Sequence, residues 1–259
     1  MAEPGIVFLM YHELELPSRH LCQSEPGYVR YILSLQTFLS QMNWLAQNGW
    51  RGLSVGETVG HSAENSVAIT FDDGSETDLL AAAPILKDNG FKATFYVTAG
   101  FVGKDGYLSS AQVRGLHALG FEIGCHSMTH AYLDDLDEPA LRREIVDSKK
   151  MLEDIVGANI EHFSCPGGRY NHRARNLVRE AGYRSMATSR AHANSSDTDP
   201  YCLGRVAILS DTNTSAFERI CTAEALRQMR LSETLRGAAK RAMGNNLYDR
   251  LRGLLLHKL

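Results

Sequence analysis

The strongest constraint on the fold is an alternation. Short apolar runs of strand length recur through the first 209 residues, at 6–11, 52–55, 67–71, 93–98, 122–125, 162–165, 185–188 and 205–209. Between them, 35–48, 79–89, 111–119, 139–156 and 173–181 carry apolar residues at helical spacing, and several end in glycine, as in "DNG" and "ALG". Strands alternating with helices predict an α/β fold with a parallel sheet and helices outside it. With about eight strand candidates, closure into a (β/α) barrel, complete or one strand short, is more economical than an open sheet.

Composition sets the outer bounds. The chain has 259 residues, 44% hydrophobic and 22% charged, with a formal net charge of -3. That is ordinary globular material with enough apolar residues for a core, and it gives no polyelectrolyte signal, so no nucleic acid partner is expected. No apolar run approaches the roughly 18–20 residues of a membrane span. The start, "MAEPGIVFLMYH", lacks a basic segment and does not read as a signal peptide. Five cysteines are scattered without CxxC spacing, which fits a reduced, cytoplasmic setting. The expected organisation is a barrel over 1–212 and a basic helical extension over 213–259. Arg227, Arg230, Arg236, Lys240, Arg241, Arg250, Arg252 and Lys258 give that extension a basic face. It would either cap the barrel or rest on the inner face of a membrane as a peripheral contact.

Chemistry in such barrels collects at the C-terminal strand ends. "VAITFDDGS" leaves a buried strand into Asp72 and Asp73. Adjacent carboxylates repel, so a cation beside them would hold both ionised. "FEIGCHSMTH" places His126 after a strand and His130 four residues later, a spacing that lets two imidazoles converge on one ion. Two histidines and a carboxylate make a catalytic set of ligands for a divalent metal, with positions left for water and substrate. "HFSCPGGRYN" ends a third strand in Pro166, Gly167 and Gly168, a turn whose exposed N–H groups could stabilise an oxyanion. The first strand, "VFLMYHE", delivers His12 at its end, and Glu13 beyond it reads as an ordinary exit residue.

Together "TFDDG", "HSMTH" and the Pro-Gly turn with "RYN", in this order on strand ends, resemble the polysaccharide deacetylase family, the NodB homology domain of carbohydrate esterase family four. The resemblance covers roughly residues 5–212 and implies a distorted barrel of about seven strands. By position it implies Asp73, His126 and His130 as metal ligands, Asp72 as general base, and Ser127 as a brace for the metal loop. It further implies Gly167, Gly168 and Tyr170 as oxyanion or substrate contacts. The implied reaction is hydrolysis of the N-acetyl group of an amino sugar with a divalent metal, Zn2+ first, and Co2+, Ni2+ or Fe2+ as alternatives. Two departures stand out. Ser164 occupies the place of an Arg that normally pairs with the base, leaving Arg169 and Arg205 as substitutes. The aromatic expected in that turn is Gly167, which leaves more room for substrate or solvent.

The family's late histidine, the acid that protonates the leaving amine, is also missing from "RVAILSD". His12 is the expected replacement, as in the branch with an N-terminal YH strand, and His192 is the alternative. His257 in "LLLHKL" lies in an apparent helix beyond the barrel. An acetylated amino-sugar substrate, free or lipid-linked, is therefore expected. The competing readings are an amidohydrolase on another C–N amide or imide, and a glycan-binding homologue with weakened catalysis.

Overall fold

A computed structural model describes residues 5–17, 19–58, 64–222 and 226 of the chain. Eight parallel strands form the main sheet: β1 (Val7–Tyr11), β2 (Arg51–Leu53), β3 (Ser66–Phe71), β4 (Thr94–Val97), β5 (Glu122–Cys125), β6 (His162–Ser164), β7 (Ser185–Ala187) and β8 (Val206–Ala207). The path runs β8-β1-β3-β4-β5-β6-β7, and β2 pairs with the first half of β3 on the edge that β4 uses further along. The segment entering β8 brings the two ends together. Leu203 bridges Ala187 of β7 in parallel, while Val206 pairs with Leu9 of β1. The result is a curled, seven-membered parallel barrel, with the eighth strand appended outside the ring. A separate two-stranded pair joins Leu14–Glu15 to Leu33–Ser34.

Five helices lie where the periodicity places them, α1 (Leu35–Gln47), α2 (Ala83–Asp88), α3 (Ser110–Ala118), α4 (Ser148–Val156) and α5 (His172–Glu180), and α6 (Thr214–Cys221) follows the last strand. A π-helical turn, Asp78–Ala82, precedes α2, and another, Arg143–Asp147, joins Glu138–Arg142 to α4, so neither stretch is one uniform helix. Gly90 and Gly120 end α2 and α3 with φ of 67° and 85°, a backbone that disfavours any side chain. Beyond α6, the expected basic extension and His257 lie outside the described residues. Among the described residues, no helix is long and apolar enough to cross a membrane.

Strand alternation decides what faces inward. Val7, Leu9, Tyr11, Val67, Ile69, Phe71, Phe95 and Phe163 pack outward into the large core shared with the helices. Phe8, Ala68, Tyr96, Ala187 and Leu203 form a second, smaller cluster inside the barrel. Continuing each inner register by two residues leads to His12, Asp72 and His126, so the period of two aims all three at the barrel mouth. Gly124 belongs to this inner face because a Cβ there would come 2.3 Å from the Tyr96 ring.

The opposite end of the barrel holds a different polar group. Glu122 accepts from the Gly56 N–H at 3.0 Å and from the Thr94 hydroxyl, and lies 3.5 Å from His162 Nε2. The His162 Nδ1 pairs with the Ser185 hydroxyl at 2.7 Å. Burial lowers the His162 pKa, partly opposed by the carboxylates of Glu122 and Glu161. The unfolded chain therefore binds this proton more readily, and stability falls as pH drops below about 6.5. Replacing His162 by glutamine is expected to flatten that part of the pH dependence, as measured by urea unfolding of the metal-free protein between pH 7 and 5. An unchanged slope would remove His162 as its source.

Candidate active site

Asp72 and Asp73 leave β3, His126 leaves β5, and all three are buried at the mouth. His130 is half-buried, brought back over the site by the turn that follows His126. The ligand atoms of Asp73, His126 and His130 lie within 4.8 Å of one another. Asp73 Oδ1 is 3.6 Å from His126 Nε2 and 3.4 Å from His130 Nε2, and it is buried with no hydrogen-bond partner among the described residues.

His126 Nδ1 pairs with the Ser164 carbonyl at 2.9 Å and donates to it, which leaves Nε2 with a lone pair aimed at the carboxylates. Burial pushes the His126 pKa down to about 4, opposed by Asp72 and Asp73, so the imidazole is neutral near pH 7. A lone pair facing an orphaned carboxylate oxygen is repulsive unless a cation lies between them. The donor set therefore fits a divalent metal.

The backbone carries strain at the same place. Asp73, Ser127 and His130 have φ of 77°, 66° and 63°; Asn65 is the other non-glycine residue with positive φ among the described residues. Such conformations cost of order 1 kcal/mol or more each and persist where surrounding contacts impose them. Here the contacts are explicit. The Ser127 hydroxyl accepts from the His130 N–H at 3.0 Å, the brace expected from the sequence. Glu144, buried among the apolar residues that precede α4, accepts from the Met128 and Thr129 N–H groups at 3.0 and 2.8 Å and from the Thr129 hydroxyl at 2.6 Å. Sequence reasoning missed Glu144, although an acid in register with Leu141, Ile145 and Leu152 on a buried helical face was the available signal. Replacing Glu144 by alanine is expected to weaken metal binding by about 10- to 100-fold with the three ligands intact. Metal titration by calorimetry reads this directly, and unchanged affinity would reduce Glu144 to a stability residue.

The cation at Asp72 is Arg205. Its guanidinium gives Asp72 two parallel bonds, Nη1 to Oδ1 at 2.6 Å and Nη2 to Oδ2 at 2.7 Å. Nη2 also donates to the Ser164 hydroxyl at 2.7 Å, and Nε to the Thr188 carbonyl at 3.0 Å. Burial alone would raise the Asp72 pKa; Arg205 and His126 reverse this and hold the carboxyl well below the usual range. Ser164 therefore leaves space for an arginine arriving from the strand that closes the barrel. Arg169 stacks instead on Tyr132, with its guanidinium carbon 3.9 Å from the ring centroid.

His12 sits at the mouth with a buried Nδ1 that has no hydrogen-bond partner among the described residues, and its ring is 4.6 Å from that of Tyr31. Burial lowers its pKa, while the nearby charges of Asp73 and Asp72 raise it, so it shares their electrostatic environment. His192 packs over Gly204, where a Cβ would come 2.5 Å from its ring.

In the Pro-Gly turn the two glycines divide. The Gly168 N–H is taken by the Cys165 carbonyl at 3.0 Å, whereas the exposed Gly167 N–H makes no hydrogen bond among the described residues. Tyr170 turns its hydroxyl to Cys202 Sγ at 3.3 Å, and its ring packs on the core. Glu13 is no ordinary exit residue. It is fully buried and accepts from Arg19, from the Cys22 N–H at 3.0 Å and from the Tyr28 hydroxyl at 3.0 Å. Arg19 also reaches Glu76 at 2.6 Å and the Gly106 carbonyl at 2.6 Å, pinning the segment after β1 to the loops after β3 and β4.

The barrel mouth gathers paired carboxylates and two histidines in an arrangement suited to a divalent ion, and sequence comparison gives the class of protein. The profile of the family described as "Polysaccharide deacetylase" matches residues 60–186. The protein named "Putative polysaccharide deacetylase YxkH" of Bacillus subtilis (strain 168) is 31% identical over 186 residues, covering 70% of this chain and 67% of that protein. The poly-beta-1,6-N-acetyl-D-glucosamine N-deacetylase of Staphylococcus aureus (strain MRSA252) is 25% identical over 209 residues, 73% of this chain and 71% of the relative. In structure, the Streptococcus pyogenes deacetylase PplD in complex with acetate superposes with a TM-score of 0.75 at 23% identity, covering 85% of this chain and 99% of that one. The chain belongs to the polysaccharide deacetylase family, whose members are hydrolases acting on C–N bonds.

Proposed function

We propose that the protein removes the N-acetyl group from an amino sugar of a glycan, using a divalent ion held by Asp73, His126 and His130. The observation that carries this reading is the buried Asp72–Arg205 pair beside an orphaned Asp73 oxygen. One carboxylate keeps a protein cation and the other lacks one, so adjacent acids have separate tasks. Zn2+ is the ion this donor set favours. When bound, it would polarise the amide carbonyl and make water more acidic.

The chain's own groups do the rest. Asp72, oriented by Arg205, takes a proton from the attacking water. The Gly167 N–H donates to the developing oxyanion. His12 gives a proton to the nitrogen as the C–N bond breaks, leaving acetate and a free amine. The match to the Staphylococcus aureus relative supports an N-acetylglucosamine polymer as substrate. Arg205 also weighs against a binding homologue with weakened catalysis, because the base retains the partner that Ser164 does not supply.

Acetate release from N-acetylglucosamine oligomers, lost with chelator and restored by Zn2+, tests the activity; no release from any oligomer with metal supplied would overturn it. His12→Ala is expected to lower turnover by about 100- to 10,000-fold with metal stoichiometry unchanged. Near wild-type turnover in that variant would move the acid role elsewhere, with His192 the next residue to replace.

A further inference from the structure

The N-terminal end of the barrel, away from the catalytic mouth, carries polar side chains in a layer that branched apolar residues normally fill. Thr94, Glu122, His162 and Ser185 are the first residues of β4, β5, β6 and β7, four consecutive strands of the ring. The period of two puts them on the inner face with Tyr96, Gly124, Ser164 and Ala187. Register sets them side by side, Thr94 against Glu122 and His162 against Ser185.

Two of the four carry ligand atoms for a metal. Glu122 Oε1 lies 3.5 Å from His162 Nε2, and the corresponding separations from Asp73 at the mouth are 3.4 and 3.6 Å. Two atoms each bound at about 2.0–2.2 Å to one tetrahedral ion stand about 3.4 Å apart, so the pair has the spacing of ligands that share a metal. Both groups are held from behind. His162 Nδ1 pairs with the Ser185 hydroxyl at 2.7 Å, and when Nδ1 is the donor the Nε2 lone pair faces the carboxylate. The Gly56 N–H and the Thr94 hydroxyl fix Glu122. The His162 side chain is 1% exposed, yet its Nε2 has no hydrogen-bond partner among the described residues. Leaving such an atom unmet is costly.

Room for an ion and its water adjoins the pair. A cavity of about 370 Å³ is lined by Glu57, Glu122, Glu161, Lys92, His117 and His162. Glu161 is engaged by Arg184 at 2.8 Å and Lys92 turns to the Gly120 carbonyl at 3.4 Å, whereas Glu122 meets no cationic Lys or Arg among the described residues.

We propose that His162 and Glu122 bind a second divalent transition-metal ion, Zn2+ or Co2+, at the N-terminal end of the barrel. Water, or the exposed His117 on the same cavity wall, completes its ligands. Imidazole with carboxylate selects such an ion over Mg2+ and Ca2+, which take oxygen ligands. The ion ties β5 to β6 where both strands begin, so it acts on stability and not on the chemistry at the opposite mouth. With two fixed ligands against three at the mouth, it is the more weakly held, and dialysis empties it first.

The test titrates Zn2+ into dialysed, untagged Asp73→Asn protein by equilibrium dialysis, so that uptake reports the second site alone. One ion per chain is expected, with affinity lowered about tenfold or more when His162→Gln or Glu122→Gln is added, and with no competition from Mg2+. Zn2+ at ten times its Kd should raise the Tm of the Asp73→Asn protein by about 3–6 °C and leave that of the Asp73→Asn, His162→Gln protein unchanged. In a chain with an intact mouth, His162→Gln should release acetate at the wild-type rate, which separates this ion from the catalytic one. Glu122→Gln keeps the side-chain shape and answers the same question should His162→Gln fail to fold. No uptake by the Asp73→Asn protein would overturn the proposal. So would uptake that neither His162→Gln nor Glu122→Gln weakens.

Discussion

Arg205→Met is expected to destabilise the protein by about 3–5 kcal/mol and to lower kcat/KM by about 100-fold or more. The Arg205 side chain is fully buried and Asp72 nearly so, and the guanidinium meets both carboxylate oxygens. Without it, among the described residues the Asp72 carboxylate retains only the Ser164 hydroxyl at 3.4 Å and the His126 ring at 3.7 Å, too little to offset burial of a charge. Its pKa then rises, because burial is no longer opposed by the largest favourable charge.

In the native protein the depressed Asp72 contributes stability above its unfolded pKa near 3.9, and that stability is lost as pH falls through the lower folded value. In the variant this contribution disappears, and the acid limb of kcat/KM moves to higher pH. Urea unfolding and a pH–rate profile read the two effects. The double variant Asp72→Asn with Arg205→Met should regain much of the stability while remaining inactive, since no unpaired charge is left inside. A single variant as stable as wild type would mean that Arg205 is not the partner of Asp72.

The second large effect is expected at the neighbouring position and has the opposite sign for stability. Asp73→Asn should abolish metal binding at the mouth and acetate release, yet stabilise the metal-free protein by about 1 kcal/mol. Asp73 Oδ1 is buried without a partner and faces two imidazole nitrogens, so in the absence of an ion its charge is a liability. Asparagine removes the charge and tolerates the φ of 77° that this position imposes. Metal content after dialysis and urea unfolding of both metal-free proteins provide the comparison. An Asp73→Asn protein that keeps its metal would place the ion elsewhere. One that is less stable without metal would show that Asp73 is not frustrated there.

Much of this was legible along the chain because the signals are local. Apolar runs of strand length and helical spacing fixed the order of elements, and the paired acids and the HSMTH turn lie next to their strands. A period of two then carries the inner register of β1, β3 and β5 onto His12, Asp72 and His126. That convergence needs no knowledge of how the strands are ordered. The turn at Gly167 and the brace at Ser127 are likewise properties of neighbouring residues.

What only the tertiary structure decided are the partnerships between distant segments. Arg205 and Arg169 were both candidates by sequence, and the choice fell to Arg205 because it immediately precedes the strand that closes the ring, 133 residues from Asp72 along the chain. Glu144 had to be brought under the metal loop by a helix packing on the barrel before its charge acquired a purpose. Glu13 read as a loop residue until Arg19, Cys22 and Tyr28 folded over it. Tyr132 filled the space above Gly167 that the sequence left open. In each case the deciding quantity is the cost of burying a polar or charged group. That cost can be assigned only when the group that offsets it, drawn from a distant part of the chain, has been placed beside it.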